Sequence, residues 1–131
     1  MPSPFPALIP GKVHIWHIAL QQPETLVEQL ANTLSSDERA RAARFHFPRD
    51  RRRSIIARAS LRAILSGYTG VPVNQLEFSY SHKGKPALAR PEHTHIYFNL
   101  SHSDELALYA FTLDSEIGVD VEKMRALDDA R

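Results

Sequence analysis

The longest apolar pattern in the sequence lies between Asp50 and Gly70, and its period is helical. Asp50 is suited to capping the start of a helix, and Gly67 and Gly70 are suited to ending it. The apolar positions that keep one face buried are Ile55, Ile56, Ala59, Leu61, Ala63, Ile64 and Leu65. We therefore expect this segment to be the principal core helix.

The other segments are shorter, and the pattern changes from helical to strand-like after Pro72. The predicted elements are a strand at 12–20, helices at 24–32 and from Ser35 or Ser36 to about Pro48, and strands at 76–80, 87–89, 95–100, 106–112 and 117–122. This order predicts the α+β class, with helices packed on a small, mainly antiparallel sheet.

Length and composition indicate one soluble domain. The chain has 131 residues, and no apolar run approaches the roughly 18 residues that a membrane crossing needs. It contains no cysteine, and its proline-rich start does not resemble a signal peptide. We expect a single domain over 1–131 that resides in the cytoplasm, with 1–11 and 125–131 flexible.

Positive charge is concentrated in the middle of the sequence, although the formal net charge is only +1. One acidic residue, Asp50, stands among the arginines, which are Arg39, Arg41, Arg44, Arg49, Arg51, Arg52, Arg53, Arg58 and Arg62. The cluster predicts an anionic ligand nearby. Individual arginines can instead be solvated residues whose stems pack on the core. Nucleic acid is a competing partner, but no DNA-binding motif accompanies the cluster.

Two carboxylates stand at i and i+2 in the run Gly118-Val119-Asp120-Val121-Glu122. On a strand, Asp120 and Glu122 would point to the same face, about 7 Å apart. Two converging carboxylates can bind magnesium, which completes its coordination with phosphate oxygens and water. The pattern predicts a magnesium site that serves a phosphate ester, and a solvated strand face is the alternative.

Three segments follow one another in a characteristic order: Gly84-Lys85-Pro86, Asn99-Leu100-Ser101-His102 and Gly118-Val119-Asp120-Val121-Glu122. Their order and separation resemble the Sfp-type 4′-phosphopantetheinyl transferases, and the likeness spans about residues 35–123. It implies one half of the family's pseudo-twofold fold. The second half, with its Trp-x-x-Lys-Glu-Ala helix, does not occur in this sequence, so we expect the N-terminal half of such an enzyme.

The resemblance assigns the arginine-rich segment to the 3′-phosphate of coenzyme A. Arg41 matches a basic position at that phosphate, and Ser54, which follows Arg53, matches a hydroxyl position beside it. A guanidinium suits this role because it donates bidentate, charge-assisted hydrogen bonds. Glu38 departs from the pattern, since some members carry lysine there.

By the resemblance, the stretch from Tyr80 to Pro86 matches the loop that lines the adenine and phosphates of the coenzyme. The remaining coenzyme-binding positions that it implies are Lys83, Gly84, Lys85, Pro86, Asn99, Ser101, His102 and Asp120. An ordinary hairpin turn would also use Gly84-Lys85-Pro86. Ser101 and His102 cannot form a nucleophile–base pair on a strand, because adjacent side chains point to opposite faces. Asp120 and Glu122 are implied to bind magnesium and to act in catalysis.

The implied reaction transfers the 4′-phosphopantetheine arm of coenzyme A to a serine of an acyl- or peptidyl-carrier protein. Because the family's usual basic Glu belongs to the second half, we expect this chain alone to be weakly active or inactive. A homodimer or a separate C-terminal half could complete it. The alternatives are a non-catalytic half that binds coenzyme A or a carrier protein, and a basic nucleic-acid-binding module.

Overall fold

The computed structural model describes residues 5–103 and 105–114. Its elements are β1 (Val13–Ala19), α1 (Glu24–Ala31), α2 (Ser36–Ala43), α3 (Pro48–Thr69), a 3-10 turn (Val73–Gln75), β2 (Glu77–Tyr80), β3 (Pro86–Arg90), β4 (Ile96–His102) and β5 (Leu106–Leu113). The strand predicted at 117–122, with Asp120 and Glu122, lies outside the described residues. Within them, no helix combines the length and apolar character that a membrane crossing requires.

The strands form two antiparallel sheets. One has the order β1-β5-β4, and the other consists of β2 and β3. The predicted α+β class and antiparallel pairing are confirmed, while the strands divide between two sheets where the sequence suggested one.

The core lies between α3 and one face of the three-stranded sheet, which we call the inner face. Ile56, Leu61 and Leu65 of α3 are buried, as are Tyr109 and Phe111 of β5. The Tyr109 hydroxyl donates to the carbonyl oxygen of Ala57 at 2.6 Å and ties the sheet to the helix. Burial raises the pKa of Tyr109 well above its usual range. The expected principal core helix is thus α3.

Two boundaries of the central helices differ from the sequence prediction. The second helix ends at Ala43, several residues before Pro48, and α3 begins at Pro48 itself. Proline is favourable there because the first turn of a helix needs no backbone N–H from it. Asp50 therefore sits in the first turn of α3 and is not its cap. Ala63, predicted to be buried, is exposed.

Gly67 does not end α3. Because glycine has no side chain, another group can approach the helix closely at this position, one turn before its end. The Phe5 ring lies directly over Gly67, where a Cβ atom would overlap it. Phe5 also stacks on Trp16 of β1, with ring centroids 5.1 Å apart, and meets Tyr68 edge-on at 5.0 Å. The helix ends at Gly70, whose φ of 76° is the left-handed conformation that glycine adopts readily.

Candidate functional site

A cavity of about 380 Å³, here called the arginine cavity, lies where α2, the start of α3 and the end of β4 meet. Arg41 of α2, Arg53 and Ser54 of α3 and His102 of β4 line it. These four residues were predicted from three separate sequence segments, and the fold brings them to one place. The arrangement offers two guanidiniums, a hydroxyl and an imidazole to an anionic ligand, and the carboxylates of Glu38 and Asp50 line the same cavity.

The position of His102 follows from the alternation of side chains along β4. Phe98 and Leu100 face the core, so His102 lies on the same inner face, at the end of the strand where the cavity opens. Asn99 and Ser101 alternate with them and lie on the opposite, outer face of the sheet. The predicted Asn-x-Ser-His segment is therefore divided: His102 and the apolar Leu100 line the arginine cavity, and Asn99 and Ser101 do not.

The outer face of the sheet is formed by three cross-strand rows. These rows are Val13–Thr112–Tyr97, Ile15–Ala110–Asn99 and His17–Leu108–Ser101. Val13, Ile15 and Tyr97 are large, partly apolar residues that remain well exposed there. The outer face thus combines apolar surface with the two polar side chains predicted to bind the coenzyme.

Lys83, Gly84 and Lys85 lie in the turn between β2 and β3, and Pro86 is the first residue of β3. Gly84 has a φ of 83°, and Ser81 closes the turn by pairing through its backbone N–H with the Lys85 carbonyl at 2.9 Å. Lys85 and Pro86 line a second cavity of about 520 Å³, beside His95 and Tyr97. The predicted loop therefore lies apart from the arginine cavity.

Glu38, which the sequence marked only as a departure from lysine, is 7% exposed and has several partners. Its Oε1 accepts from the Ser35 backbone N–H at 2.9 Å, and Ser35 Oγ accepts from the Glu38 N–H at 3.2 Å, which completes a capping box for α2. Oε1 of Glu38 also accepts from Arg62 Nε at 2.7 Å, and Oε2 of Glu38 lies 3.5 Å from Arg58 Nε. Glu38 thus joins α2 to α3.

Two arginines of the predicted cluster have structural roles. Arg62 is only 3% exposed, and its Nη1 donates to the carbonyl oxygens of Val73 and Leu76 at 2.7 and 2.8 Å. Arg51 donates to the Phe45 and His46 carbonyls and fixes the connection between α2 and α3. The expectation of solvated arginines whose stems pack on the core does not describe Arg62, whose guanidinium is itself buried and hydrogen-bonded.

Arg58 is a further arginine-cavity residue. Nothing in the sequence distinguished it from the other arginines of the cluster. Its guanidinium carbon lies 5.1 Å from the centre of the Phe78 ring and 5.7 Å from that of Tyr80. Arg41 packs on the same Tyr80 ring, at 4.7 Å. Phe78 and Tyr80 share one face of β2. Their i, i+2 spacing was the sequence signal that could have predicted two aromatic rings beside the arginines.

The carboxylates predicted to bind magnesium, Asp120 and Glu122, lie outside the described residues. In the part of the chain that the structure describes, no three His, Asp or Glu side chains are grouped in a way that could hold a metal ion. His95 Nδ1 lies 3.7 Å from an Asp114 carboxylate oxygen, and both side chains are largely exposed. This pair lies beside the second cavity.

Comparison with known proteins identifies relatives over most of the chain. A family model described as 4′-phosphopantetheinyl transferase, N-terminal, matches residues 21–113. The chain is 49% identical to the 4′-phosphopantetheinyl transferase HetI of Nostoc, over 93% of this chain and 52% of that protein. It is 32% identical to the 4′-phosphopantetheinyl transferase ffp of Bacillus subtilis, over 82% and 46% respectively. The chain spans about half the length of these relatives.

Among solved structures, a holo-(acyl-carrier-protein) synthase from Bacillus anthracis, in complex with coenzyme A, has a similar fold. The TM-score is 0.54 and the sequence identity 21%, over 76% of this chain and 91% of that one. At this identity the likeness establishes the fold alone. It agrees with the packing of helices on small antiparallel sheets.

Proposed function

Because this chain belongs to the 4′-phosphopantetheinyl transferases, through the N-terminal part of that family, we propose that it supplies the coenzyme- and magnesium-binding half of such an enzyme. In the proposed reaction, the serine hydroxyl of an acyl- or peptidyl-carrier protein attacks the pyrophosphate of coenzyme A. A new phosphorus–oxygen bond joins the arm to the serine, the serine proton passes to a base, and adenosine 3′,5′-bisphosphate leaves. The observation that carries this proposal is the meeting of Arg41, Arg53, Ser54 and His102 at the arginine cavity.

The arginine cavity would bind the 3′-phosphate of coenzyme A. Arg41 is exposed and faces this cavity from the last turn of α2, where its guanidinium can donate two parallel hydrogen bonds to phosphate oxygens. Ser54 would donate its hydroxyl to the same group. Arg53 adds positive charge, and His102 can donate a hydrogen bond from a ring nitrogen.

The other predicted residues would contact the rest of the coenzyme. Lys83 and Lys85 carry positive charge on the β2–β3 turn, and Gly84 and Pro86 give this turn its shape. Asn99 and Ser101 present polar groups on the outer face of the sheet. We propose that coenzyme A contacts both the β2–β3 turn and the outer face of the sheet, with its 3′-phosphate in the arginine cavity.

Magnesium would be held by Asp120 and Glu122, because carboxylate oxygens are the hard ligands that this ion prefers. When bound, it would neutralise charge on the pyrophosphate. Asp120 and Glu122 are the catalytic residues of this proposal.

Further residues would be needed for the activity of the whole enzyme, since the relatives are about twice as long as this chain. A C-terminal half, or a second copy acting in its place, would cover the outer face and provide a base for the serine proton. The carrier protein is the proposed macromolecular partner, and the cytoplasm is the proposed location. Nucleic acid and membranes have no part in this proposal.

The proposal is tested by measuring how the Arg41→Ala variant binds coenzyme A and 3′-dephospho-coenzyme A. Loss of a charge-assisted contact should weaken coenzyme A binding by about 10- to 100-fold, and 3′-dephospho-coenzyme A much less. Arg39→Ala is the matched control, because Arg39 is an exposed arginine on the same helix. Isothermal titration calorimetry gives both affinities. Equal losses for the two ligands would remove Arg41 from the 3′-phosphate site.

A further inference from the structure

Three arginines and two aromatic rings form an alternating row beside the arginine cavity. Arg58 and Arg41 line that cavity, whereas Phe78 and Tyr80 line a neighbouring cavity of about 550 Å³ that Arg41 also lines. In order, the row is Arg62, Phe78, Arg58, Tyr80 and Arg41. The successive distances from guanidinium carbon to ring centre are 5.1, 5.1, 5.7 and 4.7 Å. All lie within the roughly 6 Å at which a cation is attracted to the face of an aromatic ring.

The inner end of this row is fixed. Arg62 is buried, pairs with Glu38 and donates to two backbone carbonyls. Arg58 is held between the Phe78 ring and the second carboxylate oxygen of Glu38, and its side chain is 17% exposed. Arg62 cannot move away without breaking its hydrogen bonds to Glu38 and to two backbone carbonyls, which is costly in a protein interior. Arg58 is held by the ion pair and the ring contact, because its buried Nη1 and the Oε2 of Glu38 have no hydrogen-bond partner within the described residues.

The outer end of the row is less constrained. Arg41 is exposed near the end of the short helix α2, and a long side chain in such a position samples many rotamers. Its guanidinium rests on the Tyr80 ring, which is 39% exposed and is contacted by Arg58 as well. Tyr80 therefore contacts both the exposed Arg41 and the largely buried Arg58.

We propose that Tyr80 is a positioning residue for the 3′-phosphate site, and that it acts by holding the guanidinium of Arg41 at the wall of the arginine cavity. The inference rests on the proposed function. A guanidinium that is already oriented loses less freedom when it binds phosphate, so its contact is stronger. Tyr80 contributes the ring face to this arrangement, and its hydroxyl is dispensable.

The test compares Tyr80→Leu with Tyr80→Phe in the 131-residue chain. The measured quantity is the ratio of the dissociation constants for 3′-dephospho-coenzyme A and coenzyme A, determined by calorimetry. Loss of the ring should reduce this ratio by about three- to fivefold, the size of an exposed cation–π contact. Tyr80→Phe should retain the parent ratio, because it keeps the ring.

A second comparison asks whether Tyr80 acts through Arg41. In an Arg41→Ala background, adding Tyr80→Leu should leave the ratio unchanged. NMR of the ligand-free chain provides a readout that needs no coenzyme. The side-chain resonances of Arg41 should be shifted by the ring current in the parent and in Tyr80→Phe, and should lose that shift in Tyr80→Leu.

The outcomes separate this inference from the function on which it rests. A parent chain that binds the two ligands equally, or binds neither, overturns both the 3′-phosphate site and the role of Tyr80. A parent that discriminates, with a Tyr80→Leu variant that discriminates equally well, overturns the inference alone. The same holds if Tyr80→Leu weakens both ligands by the same factor, because the ring would then touch a part that they share.

Discussion

Glu38 illustrates how one side chain can serve a helix and a binding surface together. Its first oxygen accepts from Ser35 N–H and from Arg62, and its second oxygen faces Arg58. A lysine at this position, as in some members of the family, would bring a third positive charge against two arginines. The Glu38 carboxylate therefore neutralises the charges of the buried Arg62 and the largely buried Arg58, while Arg41 stays available to a ligand.

Replacement of Glu38 tests this view through stability. Glu38→Lys should lower the free energy of unfolding by about 3 kcal/mol or more, because it removes the partner of a buried arginine and adds repulsion. Glu38→Gln should cost less, since the amide oxygen can still accept hydrogen bonds. Asp37→Asn, one residue away and exposed, is the control. Urea unfolding followed by circular dichroism gives the values, and a Glu38→Lys variant as stable as the parent would contradict the role of this ion pair.

At the scale of the elements, the local patterns predicted most of what the structure contains. The strand at 12–20 corresponds to β1, the helix at 24–32 to α1, and four of the five later strands to β2 through β5. The break between α2 and α3 was predicted, but α2 ends at Ala43 and not near Pro48. Arg51 fixes the connection by donating to the Phe45 and His46 carbonyls, a contact that has no periodic signature in the sequence. The division into two sheets was also missed, since pairing between strands is not encoded locally.

The candidate site was predictable only in part, and for a related reason. Arg41, Arg53, Ser54 and His102 were identified through family resemblance, and the fold brings them to one cavity. Arg58 could not be singled out, and Tyr80 was included only as the first residue of the coenzyme-lining stretch from Tyr80 to Pro86. Their contact with each other depends on how β2 packs across α2 and α3. The capping box of Ser35 and Glu38 was visible in the sequence, whereas the reach of Glu38 to Arg62, 24 residues later, was not.

The packing of Phe5 on α3 gives a prediction about element assembly. Gly67→Ala would place a methyl group where the Phe5 ring lies, so the ring must leave its position between Trp16 and Tyr68. Alanine favours the helix itself by about 1 kcal/mol over glycine, so a net loss of stability would come from the displaced ring. We expect a net loss of about 1–2 kcal/mol in urea unfolding and a red-shifted Trp16 fluorescence.

The Phe5→Ala variant supplies the control for this prediction. In that background the space above the helix is vacated, and Gly67→Ala should become neutral or stabilising. If Gly67→Ala instead stabilises the parent chain with Phe5 intact, the Phe5 ring does not occupy the position that the structure gives it.

At the scale of the whole molecule, the outer face of the sheet predicts association. Val13, Ile15 and Tyr97 are 52%, 45% and 42% exposed on this face, and such neighbouring apolar groups favour burial against another surface. Under the proposed function, that surface is the C-terminal half, or a second copy of this chain when that half is absent. The chain alone should therefore self-associate, and Ile15→Lys should shift it toward the monomer in sedimentation velocity. Ile9→Lys, equally exposed at 48% but outside the sheet, should leave the association unchanged.

Addition of a C-terminal half from a longer relative should compete with self-association and restore transfer of the phosphopantetheine arm, detected by mass spectrometry of the carrier protein. A parent chain that is monomeric at all concentrations, and that transfers the arm at full rate by itself, would contradict this whole-molecule proposal.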